Sequence, residues 1–439
     1  MACIVAKFGG SSLANAAQFQ KVKHILSLDK RRLFIVPSAP GKRFAGDSKV
    51  TDLLLHCYAL HQNGENIEAC FAEIEQRFLE IAKDLGLHSA IKQELATVKR
   101  NLLNGASKMY VESRGEYLNG ILLAEYLGYT FFDPSNAIYF FDNGKYDSEL
   151  SNRMLAEALS TLENAVIPGF YGRKQNGDIQ TFSRGGSDIT GAVVARALCA
   201  DVYENWTDVS GFLMADPGIV ENPLEIMELS YKELRELYYM GANVLHADAI
   251  YPVQRACIST NIRNTNLPEH PGTLILHSAQ EKKKRRIITG IGGKAGFGMI
   301  NIEKSMMHHE IGFVMRSMQA LYEYQIPCEH MPSSIDSISF VVDDTLLCEK
   351  QNALSVRLQE LVQADKITVL HDVALLSIVA SEQIQEPENY GKIFKALEQN
   401  HIPVLCVSQA GTSLSTVIGV PAQHYKNAIR AIYKEYMGV

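Results

Sequence analysis

A chain of 439 residues exceeds what one hydrophobic core serves, so roughly two or three domains are expected. Its hydrophobic fraction of 46% and charged fraction of 21% are those of a soluble globular protein, and a net charge of −7 argues against nucleic acid as the main partner. No charged and apolar leader follows Met1, and no run of about 18 apolar residues occurs, so the sequence predicts a cytoplasmic protein without membrane insertion.

Residues 3–8 are apolar apart from Lys7 and predict a buried strand running into Gly9-Gly10-Ser11-Ser12. The segment Ala14 to Leu28 places Phe19, Val22, Ile25 and Leu26 on one helical face. Leu33-Phe-Ile-Val36 reads as a second short strand, closed by Pro37-Ser-Ala-Pro-Gly41. Val50-Thr-Asp-Leu-Leu-Leu55 opens a helix with Thr51 as its predicted N-cap, and the pattern stays largely helical to residue 128. Strands are expected near 129–132, 165–170 and 202–206, with helices around 149–163 and 188–199. Such alternation predicts an α/β fold, a mainly parallel sheet flanked by helices.

Asn264 to Gly272 is rich in turn residues, and Lys282-Lys-Lys-Arg-Arg286 reads as a solvated connector, which sets a domain boundary at 280–287. Beyond it the chain repeats. Ala320-Leu321, Ile326-Pro327 and Ser337-Ile-Ser339 recur as Ala396-Leu397, Ile402-Pro403 and Ser413-Leu-Ser415, at an offset of 76 residues. Each copy reads as helix, Ile-Pro turn, strand, loop and strand, so two small α+β units are predicted.

The chemistry concentrates in the first part. Glycines let backbone approach a ligand closely, and N–H groups at a helix start favour anionic oxygens. Lys7 leaves a strand into one Gly-Gly pair; Arg184 precedes another, Gly185-Gly186, with Ser187 and Asp188 at the next helix start. Two cationic glycine loops suit an enzyme that holds two anionic partners, as phosphoryl transfer requires. The arginine fork suits a carboxylate, and Asp188 also reads as an N-cap. Glu116, within Arg114-Gly-Glu-Tyr117, reads by itself as a solvated helix-start charge. Trp206-Thr-Asp-Val-Ser-Gly211 follows a strand, at the end where open α/β sheets bind ligands, and Asp216-Pro217-Gly218 comes after it. The eight cysteines include no C-x-x-C and are expected to be reduced, mostly buried thiols. His308-His309 is an adjacent pair, but no Cys/His set has zinc spacing, so no protein-ligated metal is expected.

Taken in register, Lys7-Phe-Gly-Gly-Ser-Ser12, Val50-Thr-Asp52, Gly115-Glu116, Arg184-Gly-Gly-Ser-Asp188, Trp206-Thr-Asp208, Asp216-Pro217 and Gly241-Ala242 through Val244-Leu-His246 resemble the aspartate kinases (aspartokinases). The resemblance covers essentially the whole chain, and the repeated units resemble that family's two ACT domains. It implies an amino-acid kinase domain at 1–280, ACT domains with ferredoxin-like folds at 287–362 and 366–439, and a monofunctional enzyme. It also implies transfer of the ATP γ-phosphoryl to the β-carboxylate of L-aspartate, giving 4-phospho-L-aspartate, the first step toward lysine, threonine and methionine.

Carried over to this chain, the resemblance makes Lys7, Arg184 and Asp188 catalytic. Ser38, Thr51, Glu116, Phe170, Arg184 and Ser187 would bind substrate, with Glu116 taking its α-ammonium and Arg184 a carboxylate. ATP would meet Lys7, Gly9, Gly10, Ser11, Thr207, Asp208, Phe212, Asp216 and Asn243, with Mg2+ held mainly through its own oxygens. An amino-acid effector, lysine foremost, would meet Met307, His308, His309, Gly312, Glu329, Ser333 and Ser334. A homodimer or homotetramer assembled through the ACT domains is implied as well.

The chain departs from the family pattern at Asn243, where many members have lysine, at Ala247 for proline, at Phe212 for a tyrosine, and at Gly218 for an arginine. A kinase for another acidic substrate such as glutamate is the second reading. An amino-acid-sensing subunit with impaired catalysis is the third, motivated by Asn243.

Overall fold

The computed structural model describes residues 3–88, 90–183, 185–239, 241, 245, 249, 251–277, 287–380, 387–409 and 414–438. The basic run Lys282–Arg286, and with it the expected connector, lies outside the described residues. Two compact units emerge: one holds 1–212, 227–231 and 243–282, and the other holds 213–226, 232–242 and 283–439.

In the first unit, β1 (Ile4–Phe8) passes through a 3-10 turn into α1 (Ala16–Leu28) and β2 (Arg32–Pro37). Asn15 caps α1 by accepting from Gln18 N–H, and Phe19, Val22, Ile25 and Leu26 are buried as their spacing predicts. The helical stretch follows as α2 (Val50–Gln62), α3 (Glu68–Asp84), α4 (Ile91–Leu103) and α5 (Lys108–Leu127). Thr51 is not the N-cap: the helix begins at Val50 behind Lys49, whose side chain makes no cap, and Thr51 lies within the first turn.

Next come β3 (Thr130–Phe131), β4 (Tyr139–Phe140), α6 (Ser148–Leu159), β5 (Ala165–Val166), β6 (Tyr171–Lys174), β7 (Ile179–Thr181), α7 (Gly186–Ala197) and β8 (Val202–Thr207). The strand expected over 165–170 stops at Val166, because Pro168-Gly169 leads the chain out of the sheet. The chain continues through β9 (Phe212–Leu213), β10 (Glu225–Ile226), β11 (Glu228–Ser230), α8 (Tyr231–Tyr239), α9 (Tyr251–Arg255), β12 (Ser259–Asn264) and β13 (Thr273–Leu276).

The main sheet has the order β11-β13-β12-β8-β1-β2-β5-β3 and is parallel except between β12 and β13. In its centre Lys7 lies opposite Val36 of β2 and Asn205 of β8. Three carboxyl ends therefore come together at the first glycine loop. A core of Phe8, Leu13, Phe19, Leu54, Phe71, Phe78, Leu118 and Leu122 fixes α1 to α5 against this sheet. Fully burying each such side chain contributes about 1.5–3 kcal/mol.

The second unit is built on one antiparallel sheet. Besides β10 and most of α8, its elements are β14 (Ile288–Glu303), α10 (Phe313–Glu323), β15 (Cys328–His330), β16 (Ser337–Asp343), α11 (Asp344–Val362), β17 (Lys366–Ala380), α12 (Pro387–Gln399), β18 (Cys406–Ser408), β19 (Ser415–Pro421) and α13 (Tyr425–Met437). The strand order is β15-β16-β14-β17-β19-β18. The internal repeat is this pattern: α10, Ile326-Pro327, β15 and β16 correspond to α12, Ile402-Pro403, β18 and β19. Ala320 and Leu321, like Ala396 and Leu397, are buried, which is why those pairs recur. Ser413 lies outside the described residues.

The cysteines differ from expectation. All eight are free, but only Cys3, Cys57 and Cys70 are buried, while Cys199, Cys257 and Cys348 are exposed. No helix among the described residues is long and apolar enough to cross a membrane.

Candidate active site

Lys7 is buried although it is charged, because its side chain has built-in partners. Its Nζ lies 2.6 Å from Asp188 Oδ1 and donates to Asn205 Oδ1 at 3.4 Å. Asn205 closes the triangle by donating to Asp188 Oδ1 at 2.8 Å. Asp188 stands in the first turn of α7 and not at its cap, which is Gly185 at φ 59°. At that place the helix N-terminus favours a carboxylate. Asn205 was not singled out from sequence. Its only signal was a polar residue inside the apolar strand that precedes Trp206-Thr-Asp208.

The first glycine loop leans on the turn after β2. Gly41 N–H donates to Gly10 O at 2.8 Å, and a Cβ on Gly41 would lie 2.5 Å from the Gly10 carbonyl carbon. No other residue fits there. Gly9 N–H donates to Trp206 O at 2.9 Å, so the loop is also tied to the end of β8. Ser12 Oγ shares a 2.7 Å hydrogen bond with Thr265 Oγ1, and Ser11 is half-buried.

A second group of predicted residues gathers beside this loop. Ser38 N–H donates to Phe8 O at 3.0 Å. Gly169 N–H donates to Pro37 O at 3.0 Å, and a Cβ on Gly169 would lie 2.6 Å from Ser187 Oγ. Phe170 adopts φ 82°, held by its N–H donating to Thr190 Oγ1 at 2.9 Å. A non-glycine residue in that region costs free energy and marks a place where the surroundings hold the backbone.

Glu116 overturns the bland reading of its sequence position. It sits within α5 and is 6% exposed. Burial pushes its carboxyl up to about 8, opposed by a hydrogen bond from the Ala39 backbone. Its Oε2 is buried without a partner, and so is Oδ1 of Asn119, three residues on along the same helix face. Asn119 Nδ2 donates to Ser38 O at 2.6 Å. Both oxygens lie beside the Ser38–Ala39 turn, where buried polar atoms call for a hydrogen-bond partner. Asn119 was also missed, since a lone Asn in a helix carries no local signal.

The remaining residues divide. Thr207 is half-buried and donates to Asp208 Oδ1 at 3.2 Å at the exposed end of β8. Phe212 is 2% exposed, its N–H donating to Thr273 Oγ1 at 2.8 Å. Asp216 belongs to the second unit, where its Oδ1 accepts from Gly218 N–H at 2.8 Å. Thr51 is half-buried in the first turn of α2. Arg184 and Asn243 lie outside the described residues.

The sole tryptophan is structural. Trp206 is fully buried, stacks on Phe8 with ring centroids 5.9 Å apart, and donates from Nε1 to Glu204 Oε2 at 2.8 Å. Arg32 grips the same carboxylate at 2.7 and 3.0 Å.

In the second unit, the 304–307 and 333–337 loops are tied together by Asp336. Its Oδ1 accepts from Met306 N–H at 2.9 Å, and Lys304 N–H donates to its backbone oxygen at 2.9 Å. Met307 is buried, His308 and His309 are exposed with ring centroids 4.0 Å apart, and Gly312 turns at φ 82°. Ser334 N–H donates to Ser337 O at 2.8 Å, and Ser333 bridges to Ile338. Glu329 is set apart from these. Its neighbours on β15 pair with Val342 and Val341, about 10–13 Å along β16 from Ile338. There it accepts from Tyr239 Oη, and burial raises its carboxyl above the usual range.

The family model of the amino acid kinase family matches residues 2–264, and an ACT domain model matches 376–436. Aspartokinase 3 of Bacillus subtilis is 34% identical, over 98% of each chain. The crystal structure of Clostridium acetobutylicum aspartate kinase is 44% identical with a TM-score of 0.91, covering 99% of this chain and 100% of that one. Escherichia coli aspartokinase III in complex with aspartate and ADP shares the fold, at 22% identity and a TM-score of 0.76, covering 99% and 100%.

Proposed function

The chain belongs to the amino acid kinase family and, within it, to the aspartate kinases, phosphotransferases with a carboxyl acceptor; on that premise we propose that it transfers the ATP γ-phosphoryl to the β-carboxylate of L-aspartate, giving 4-phospho-L-aspartate. The observation that carries this reading is the pairing of a buried lysine at a glycine loop with a buried Glu116 carboxyl whose Oε2 has no partner. One offers a cation to phosphate, and the other asks for a cation such as an α-ammonium.

The chemistry then needs little from the protein beyond placement. Glu116 Oε2 and Asn119 Oδ1 accept from the substrate ammonium, and Arg184 takes its α-carboxylate. Ser38, Thr51, Phe170 and Ser187 line the acceptor pocket, which presents one β-carboxylate oxygen to the γ-phosphorus. That oxygen is already ionised, so no general base is required. As the new O–P bond forms, the bond to the β-phosphate bridging oxygen breaks and ADP leaves with the electron pair. Lys7, aimed by Asp188 and Asn205, neutralises charge on the phosphoryl in transit. Gly9, Gly10 and Ser11 approach the phosphates, while Thr207, Asp208, Phe212 and Asn243 border the nucleotide.

Hard oxygen donors suit Mg2+, here phosphate oxygens together with the exposed Asp208 carboxylate, and the ion would neutralise phosphate charge.

The proposed boundaries are 1–280 for catalysis, with ACT domains at 287–362 and 366–439. An amino-acid effector, lysine foremost, acts at Met307–Gly312, Glu329, Ser333 and Ser334. The Escherichia coli enzyme has been crystallised with lysine and aspartate. A homodimer or homotetramer through the ACT domains is supported by Ile311, Met315 and Tyr322, which are 96%, 68% and 83% exposed around α10. The product is the first intermediate toward lysine, threonine and methionine.

Acyl-phosphate formation, trapped as the hydroxamate, tests the reading with L-aspartate against L-glutamate. Turnover with aspartate is expected, and turnover with glutamate alone refutes it. Inhibition by lysine in the same assay tests the effector.

A further inference from the structure

Away from the catalytic unit, three side chains of metal-ligand type meet at one end of α11. Asp344 opens that helix and Cys348 follows one turn later, so both lie on the same face. His371 reaches them from β17. It stands at an irregularity where pairing with β14 passes from Val373–Phe297 to Leu370–Met299, so that His371 and Asp372 fall outside the ladder. Asp372 adopts φ 54° there. Such bulges redirect side chains.

The result is a compact triangle. His371 Nδ1 lies 2.6 Å from Asp344 Oδ1 and 3.6 Å from Cys348 Sγ, and Sγ lies 4.0 Å from the same Oδ1. A tetrahedral ion with bonds of about 2.0–2.3 Å spaces its ligand atoms roughly 3.3–3.7 Å apart. Small side-chain rotations close that difference. Nitrogen, oxygen and sulfur together are a zinc-class donor set. The outer contacts fit as well: His371 Nε2 lies 3.0 Å from Gln351 Oε1 and its N–H donates there, while Nδ1 holds the proton of the 2.6 Å contact with Asp344 Oδ1, and loss of that proton frees the Nδ1 lone pair for a metal. Asp372 N–H donates to Asp344 Oδ2 at 3.3 Å, steadying the carboxylate while Oδ1 faces His371 and Cys348. Among the described residues this is the one group of three such ligands.

We propose that Asp344, Cys348 and His371 bind a divalent cation of the zinc class, with the fourth position open to water. Cys348 and His371 are exposed, so entry is unobstructed. On loading, the Cys348 thiol and His371 Nδ1 each give a proton to solvent, and the thiolate and the imidazole nitrogen bind the ion. Sequence spacing did not disclose the site, because Cys348 and His371 are 23 residues apart on a helix and a strand.

The test uses the full chain, stripped with a chelator in a thiol-free reductant and titrated first with Co2+ and then with Zn2+. One equivalent of Co2+ should bind with a thiolate-to-cobalt charge-transfer band, which Zn2+ abolishes by displacement. Cys348→Ser should remove the band and His371→Asn should weaken Zn2+ binding by at least about tenfold, both with aspartate kinase turnover retained as proof of folding. Gln351→Ala should keep the band and weaken binding about tenfold. Cys257, whose Sγ lies 3.5 Å from His277 Nε2, is the competing thiol–imidazole pair. Cys257→Ser should leave the band unchanged. Absence of the band in the parent protein, its survival in Cys348→Ser, or its loss in Cys257→Ser overturns the proposal.

Discussion

Lys7 and Asp188 are 181 residues apart in sequence, yet their charged atoms lie 2.6 Å from one another, with Asn205 bonded to both. The pair holds the lysine in one direction before any substrate arrives. Preorganised charge of this kind acts without reorganisation at the moment of transfer.

Lys7→Ala should lower kcat about 100- to 1,000-fold in the hydroxamate assay, since it removes a donor aimed at developing charge. Circular dichroism should remain that of the parent. Lys7→Arg should not restore the rate, because the planar fork does not fit a side chain only 9% exposed and seated between Asp188 and Asn205.

Glu116 should make aspartate binding depend on pH. With its carboxyl raised to about 8, it is mostly protonated at neutral pH and ionises as pH rises. The apparent KM for aspartate should therefore fall between about pH 7 and 8.5, with a proton released on binding. Glu116→Gln should show a high KM that no longer changes across this range. Stability has the opposite sign: the folded state holds a proton the unfolded chain has lost, so the ligand-free enzyme loses stability from about pH 4.5 to 8. Denaturant midpoints should show Glu116→Gln to be more stable than the parent at pH 8, by on the order of a few kcal/mol.

Gly41→Ala should damage catalysis more than folding. Its Cβ would press on Gly10 and on Ser11 N at 2.7 Å, and backbone on both sides must shift. Displacing the loop by about 1 Å is expected to cost on the order of 100-fold in kcat/KM, with a small change in Tm.

Arg32→Met should destabilise the first unit by at most about 3–5 kcal/mol, because buried Glu204 loses its bidentate partner and keeps Arg263 at 3.6 Å and the Trp206 indole. Trp206 is the chain's only tryptophan and bonds to the same carboxylate, so its fluorescence reports this unfolding directly.

Much of the architecture was legible in the order of residues. The strand into Gly9-Gly10, the face of α1 and the paired C-terminal units were readable because neighbours along a strand or helix share one environment, and periodicity records it. The resemblance carried by several motifs in register extended that reading to the family. The strand predicted over 165–170 ran too long because apolar character continued past Pro168, which leaves the sheet.

What the sequence determined by itself was therefore local: which segments form strands and helices, where glycine brings backbone close, and which motifs belong together. Tertiary structure alone decided that Asp188 and Asn205 aim Lys7, that Glu116 is buried with Asn119 beside it, and that Cys348 meets His371. Those relations depend on the register of β1 beside β8, on α5 packing against the turn after β2, and on a bulge in β17. Each is set by burying apolar surface between distant segments, and no spacing along the chain records it.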